Sequence, residues 1–135
     1  MSYKIEEIEG IGPTFGEKLT AAGVKTTDDL LANCANAAGR KKAAEATGLS
    51  EGQLLKWANM ADMMRIKGIG PQFAELLEAS GVDTVKELRA RSAENLASKM
   101  SEVNEVRNLT NAVPAMATIT GWIEQAQKMD PTITH

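Results

Sequence analysis

Histidine, cysteine and aromatic residues are scarce in this 135-residue chain, and each shortage removes a class of chemistry. The only histidine is His135, the last residue, so no ordered histidine is at hand as a general base. The only cysteine, Cys34, excludes an intramolecular disulfide and any multi-thiolate metal site. It reads as a small apolar side chain rather than a reactive thiol. No stretch approaches the ~18 consecutive apolar residues that would span a membrane. The first residues, Met1 to Glu7, contain no apolar segment of the kind that directs secretion, so a cytoplasmic location is expected. Aromatic residues are 4% of the chain and β-branched runs are absent, while alanine, leucine, lysine and glutamate are abundant. That balance points to helices throughout. Fifteen basic against eighteen acidic residues give a net charge of −3, the opposite sign from a protein that grips nucleic acid by broad electrostatics. Nucleic acid would have to be met by a local patch.

What the chain does contain is a duplication. Shifted by 58 residues, Ile8-Glu9-Gly10-Ile11-Gly12-Pro13-Thr14-Phe15 falls on Ile66-Lys67-Gly68-Ile69-Gly70-Pro71-Gln72-Phe73. Of the 24 pairs from Ile8/Ile66 to Leu31/Arg89, 13 are identical. The shared residues have local jobs. Each Gly-Ile-Gly supplies two positions free to take left-handed backbone in a tight turn, with the isoleucine between them able to point inward. Pro13 and Pro71 suit the first helical position, and Phe15/Leu19 and Phe73/Leu77 form the buried stripe of the helix that follows. Gly23-Val24 and Gly81-Val82 close it in a Schellman ending. Thr26-x-x-Asp29 and Thr84-x-x-Glu87 are capping boxes opening short helices.

Further along, the first copy reads as a helix from Arg40 to Thr47. Ser50-x-x-Gln53 then opens a helix carrying Leu54, Trp57, Ala58, Ala61 and Met64 on one face. In the second copy Ser92 caps a helix with Leu96, Ala97 and Met100. A polar stretch from Asn104 to Val113 follows, then a last helix with Ile119, Trp122, Ile123, Ala126 and Met129. Gly121 weakens that helix by roughly 1 kcal/mol. Trp57 and Trp122 hold equivalent places, each four residues before an alanine. Met60, Met63 and Met64 read as core filler, with an adaptable partner surface as the other reading.

The string Ile-x-Gly-Ile-Gly-Pro-x-Phe-x-x-x-Leu, followed by Gly-Val and a threonine-capped helix, resembles the helix-hairpin-helix superfamily. Its continuation through Gly48-Leu49-Ser50 into Ala61 resembles the small tandem, SAM-like form found at the N-termini of recombinases and the C-terminus of the RNA polymerase alpha subunit. Over nearly the whole length, including Trp57-Ala58-Asn59-Met60-Ala61-Asp62, the chain is similar to a bacterial family known as a domain of unknown function with tandem helix-hairpin-helix repeats. The resemblance implies an all-α fold of two tandem repeats, residues 3–65 and 66–129, packed into one compact domain around Phe15, Trp57, Phe73 and Trp122. Residues 130–135 are expected to be a loose tail.

In that superfamily the hairpin offers backbone N–H groups to a nucleic-acid phosphate, using the open amides and positive dipole end of a helix. Here the candidates are Gly10, Ile11, Gly12 and Thr14 in the first hairpin, and Gly68, Ile69, Gly70 and Gln72 in the second. The plainer reading is that the glycines only turn the chain. Glu6, Glu7 and Glu9 precede the first hairpin and repel phosphate, whereas Arg65 and Lys67 precede the second and attract it. DNA-binding members often carry a lysine just after Gly-Pro, where this chain has Thr14 and Gln72. Arg40-Lys41-Lys42 is the other basic cluster, read either as an anion contact or as a solvated segment with a displaced helix boundary. No catalytic residue, metal site or cofactor is expected, because the serines are explained as caps and the acids as solvated helix faces. The expected function is weak DNA binding through the second hairpin, and the alternative is a protein-interaction adaptor whose hairpins are structural.

Overall fold

The computed structural model describes residues 2–135. Among them are eight α-helices and no strand: α1 Pro13–Ala21, α2 Thr27–Cys34, α3 Ala37–Thr47, α4 Glu51–Met63, α5 Pro71–Ala79, α6 Val85–Leu88, α7 Ala93–Arg107 and α8 Met116–Gln127. A 3-10 turn, Ile5–Glu7, precedes α1. Tyr3 and Ile5 are zipped to the α1–α2 loop, with Thr27 N–H donating to the Tyr3 carbonyl and Ile5 N–H to the Lys25 carbonyl, both at 2.9 Å.

The repetition reaches from local turns to packing. Val24 N–H donates to the Leu19 carbonyl and Gly23 N–H to Thr20, while Val82 N–H donates to Leu77 and Gly81 N–H to Glu78. These are the two crossed bonds of a Schellman ending, made twice. In each half the first helix packs on the third, the second on the fourth and the third on the fourth. One continuous cluster of buried side chains runs through both halves, with Leu19, Leu30, Leu54, Leu76 and Leu77 fully enclosed. Met60, Met63 and Met64 lie inside it. Cys34 is also buried, and burial pushes its thiol up to about 11, only partly offset by the Arg40 charge. That environment keeps it protonated and inert.

Several local expectations are corrected. Only the first glycine of each Gly-Ile-Gly is left-handed, Gly10 at φ +92° and Gly68 at +98°. Gly12 and Gly70 have φ of −81° and −93° and are the N-cap residues of α1 and α5. Helix α3 starts at Ala37 rather than Arg40, because Asn36 caps it by accepting the Gly39 N–H at 2.7 Å. The three cations therefore lie inside the helix, and the dipole conflict posed by a start at Arg40 disappears. Thr84 caps α6 by accepting the Glu87 N–H at 3.3 Å, but no reciprocal bond completes a box, unlike the pair at Thr26 and Asp29. Helix α7 runs on to Arg107, past the expected break at Asn104, and ends at left-handed Asn108. Phe15 with Trp57 and Phe73 with Trp122 form two separate pairs rather than one centre, with Phe15 and Phe73 only half-buried. The tail is docked: Thr134 N–H donates to the Ala35 carbonyl at 2.8 Å, and Ile133 is buried.

Candidate interaction site around the repeated turns

Each turn is built from the same parts. Ile11 N–H donates to the Ile8 carbonyl and Ile69 N–H to the Ile66 carbonyl, both at 3.1 Å, and all four isoleucines are buried. A tryptophan from the last helix of the half covers the left-handed glycine. A methyl placed on Gly10 would sit 3.5 Å from Trp57 Nε1, and one on Gly68 would sit 3.0 Å from Trp122 Nε1. Each indole also leans on the phenylalanine of its own half, Phe15–Trp57 and Phe73–Trp122, both with centroids 5.4 Å apart and tilted by 51° and 54°. The positive φ at Gly10 and Gly68 thus has a packing reason: no Cβ stands between turn and indole. Helices α1 and α5 begin at Pro13 and Pro71 without a side-chain cap, so their first-turn amides are open to an external acceptor.

The charges around the second turn work against an anion there. Arg65 is spent internally: Nη1 pairs with Asp62 Oδ1 at 2.6 Å, and Nη2 donates to the Asp130 carbonyl at 3.1 Å. Lys67 is exposed, but its backbone is clamped by the Gln125 amide, which accepts from its N–H at 3.0 Å and donates to its carbonyl at 3.2 Å. The groove bounded by Gly68, Gly70, Pro71, Gln72 and Phe73 is lined on its other side by Glu7 and Glu9. Two carboxylates from the first half therefore share the space where a phosphate would enter. Gln72 is exposed and Ile69 is enclosed.

The first turn lies in a similar field. Glu9 and Gly10 border a cavity with Lys56, Glu75, Glu78 and Arg107. Burial raises the Glu75 carboxyl above its usual range, Glu9 and Glu78 add to the rise, and Arg107 and Lys56 oppose it. Gly12 and Thr14 are exposed at the start of α1. The basic trio does not act as a unit. Arg40 is 4% exposed and donates to the carbonyls of Cys34 at 3.0 Å, Ala35 at 3.1 Å and Thr134 at 2.7 Å. Lys41 and Lys42 remain exposed on α3.

Asp62 was not among the expected site residues, though an acid inside the apolar run from Trp57 to Met64 is a legible signal. It is 1% exposed, and its Oδ2 accepts the Val85 N–H at 2.9 Å, tying α4 to the start of α6. Beside it, Asn59 Nδ2 reaches Asp83 Oδ2 at 3.4 Å. Glu87 also faces this corner, and its carboxyl is pushed up to about 7, first by a hydrogen bond with Asp83, then by burial and by the Asp83 charge, against Arg91. An acid whose folded pKa is raised favours folding while protonated, so its contribution is present at low pH and is lost as pH rises through about 7. Glu87→Gln keeps a donor for Asp83 without ionising. Urea melts between pH 5 and 8 are expected to show a smaller decline in stability for the variant than for the parent, and equal slopes would rule the assignment out.

Among the described residues no group of three or more His, Cys, Asp or Glu side chains is arranged to hold a metal ion. No described helix is long and apolar enough to cross a membrane. A family model described as a domain of unknown function (DUF4332) matches residues 9–129. No curated protein and no solved structure matches the chain.

Proposed function

The chain belongs to the DUF4332 family, a domain of unknown function, and from that premise we propose that it is a non-enzymatic adaptor of tandem helix-hairpin-helix form, which binds protein rather than nucleic acid. The tandem reading is supported by the 58-residue duplication, the two identical Schellman endings and the matching helix pairings of the halves. The observation that carries the choice of partner is the pair Glu7 and Glu9 in the groove of the second turn, with Arg65 already neutralised by Asp62. A phosphate at the Gly70 amide would meet two like charges and only Lys67 in its favour. A segment bearing a lysine or arginine beside an apolar side chain fits better, since Pro71 and Phe73 supply apolar surface next to the carboxylates. The one cysteine, Cys34, is buried and its thiol is held protonated, which supports the non-enzymatic part of the proposal, and the location proposed is cytoplasmic.

One observation favours the nucleic-acid reading: the uncapped start of α5 next to exposed Lys67. Fluorescence anisotropy separates the two. Labelled single- and double-stranded DNA and RNA, at about 50 and 200 mM salt, are expected to show no binding up to tens of micromolar protein. A labelled basic peptide containing a phenylalanine is expected to bind, and Glu7→Gln with Glu9→Gln to weaken it by about tenfold. Salt-steep DNA binding that Lys67→Glu abolishes would overturn the adaptor reading.

A further inference from the structure

We infer that the corner where α4 meets the α5–α6 loop is a site for a hydrated divalent cation, held by the side-chain oxygens of Asn59 and Asp83. Both residues border a cavity of about 210 Å³, whose wall is completed by Gly52, Leu55, Lys56 and Glu78. Asn59 is 7% exposed, and its Oδ1 is buried without a hydrogen-bond partner. Asp83 Oδ1 is likewise buried and is met by no N–H or hydroxyl donor. The other polar atoms of the pair are used on each other, with Asn59 Nδ2 reaching Asp83 Oδ2 at 3.4 Å. Beyond that amide, the donor Asp83 finds is the Glu87 carboxyl, and only while that carboxyl keeps its proton.

The corner therefore gathers acceptors and lacks positive charge, and buried oxygens in that state call for a partner. The nearby cations do not supply it. The Lys56 ammonium stands 4.0 Å from Glu78 at the rim, on a side chain that is 60% exposed. Arg91 Nη2 is shared between Glu87, at 3.7 Å, and the Gly81 carbonyl, at 2.9 Å. Amide and carboxylate oxygens are the ligands of hard divalent cations, and magnesium takes one or two carboxylates while keeping several of its waters. The cavity has room for that shell at roughly 30 Å³ per water. With two protein oxygens and water for the rest, the site needs no trio of acidic ligands. The ion replaces the proton that Glu87 otherwise keeps up to about 7, so binding strengthens as pH rises through that value. It also ties α4 of the first half to the α5–α6 loop of the second. This corner is separate from the groove of the second turn and does not depend on how that groove is read.

The test is calorimetric melting of the full chain in magnesium chloride up to about 10 mM, with ionic strength matched by sodium chloride. At about pH 8 the melting temperature is expected to rise by about 3 °C or more, with half of the rise reached near about 1 mM. At about pH 6 the rise is expected to shrink to less than half. Asp83→Asn keeps the shape of the side chain, removes its charge and is expected to abolish the rise. Manganese, a paramagnetic ion with the same preference for oxygen ligands, maps the site in the native chain. Its first effect on the NMR spectrum is expected to be broadening of the Asn59 side-chain amide and the backbone amides of residues 82–84. No rise at about pH 8, or an equal rise in folded Asp83→Asn, overturns the inference. If Asp83→Asn does not fold, the manganese map decides, and broadening centred on Glu6, Glu7 and Glu9 instead is the overturning result.

Discussion

Asp62→Ala is expected to lower the unfolding free energy by about 3–5 kcal/mol, because it breaks a buried pair and strips a buried amide in one step. Asp62 holds Arg65 at 2.6 Å through one oxygen and the Val85 N–H at 2.9 Å through the other. Without it, the Arg65 guanidinium, with a side chain only 22% exposed, loses its counter-charge. The start of α6 loses the hydrogen bond that ties it to α4, and α6 has four residues and little helical stability of its own. For a chain of this size the loss corresponds to a melting temperature roughly 10 °C lower or more. Asp62→Asn keeps an acceptor for Val85 and is expected to recover part of the loss. A calorimetric shift of less than about 3 °C for the alanine variant would show that Arg65 and Val85 find other partners.

The second large effect is expected at Gly68. Alanine there adds a left-handed backbone penalty of roughly 1–2 kcal/mol to a methyl 3.0 Å from Trp122 Nε1, which the ring must move away to admit. Trp122 is 2% exposed and leans on Phe73, so its displacement disturbs the core. The combined loss is about 2–4 kcal/mol. Its companions are graded by the same geometry. Gly10→Ala meets Trp57 at an ordinary contact of 3.5 Å and should cost only the backbone term. Gly12→Ala, at φ −81° with no atom within 4 Å, should be neutral within about 0.5 kcal/mol. Denaturant midpoints that rank 68, then 10, then 12 support the turn-and-indole account, and equal losses at 68 and 12 defeat it.

The parts of this molecule that could be read from the chain are those whose partners lie within a few residues. Thr26 finds Asp29, Ser50 finds Gln53, and Leu19 finds Val24, each at a spacing that local geometry dictates. The duplication carried the reading one step further, since Trp57 and Trp122 could be matched by their shared place before an alanine. What the chain does not disclose is burial, and partners that lie far along it. Arg40 reads either as an anion contact or as part of a solvated segment, because the Thr134 carbonyl that it meets is 94 residues away. Arg65 reads as a free cation even though Asp62 stands only three residues back, because spacing alone does not reveal that Asp62 is 1% exposed and turned inward. Glu7 and Glu9 were assigned to the first turn by adjacency, whereas packing of the two halves also brings them to the groove of the second. The sign of a local charge cluster therefore could not be transferred to the sign of the site it borders.

The joint between the two halves has a geometric consequence. Helix α4 ends at Met63, and the second copy of the repeated string begins at Ile66. The intervening residues keep turning, with Arg65 N–H on the Asp62 carbonyl and Ile66 N–H on the Met63 carbonyl. The angular phase of one half against the other is therefore counted off in helical residues. One residue more or fewer in α4 would swing the second half by about 100° and shift it by about 1.5 Å along the axis. Asp62 would then face away from Val85. Length is free to differ in the loops away from the joint, and there the copies do differ: the tryptophan follows Gly68 by 54 residues in the second and Gly10 by 47 in the first. The chain behaves as a gauge of set pitch, in which a partner touching both turns meets a spacing decided before it arrives.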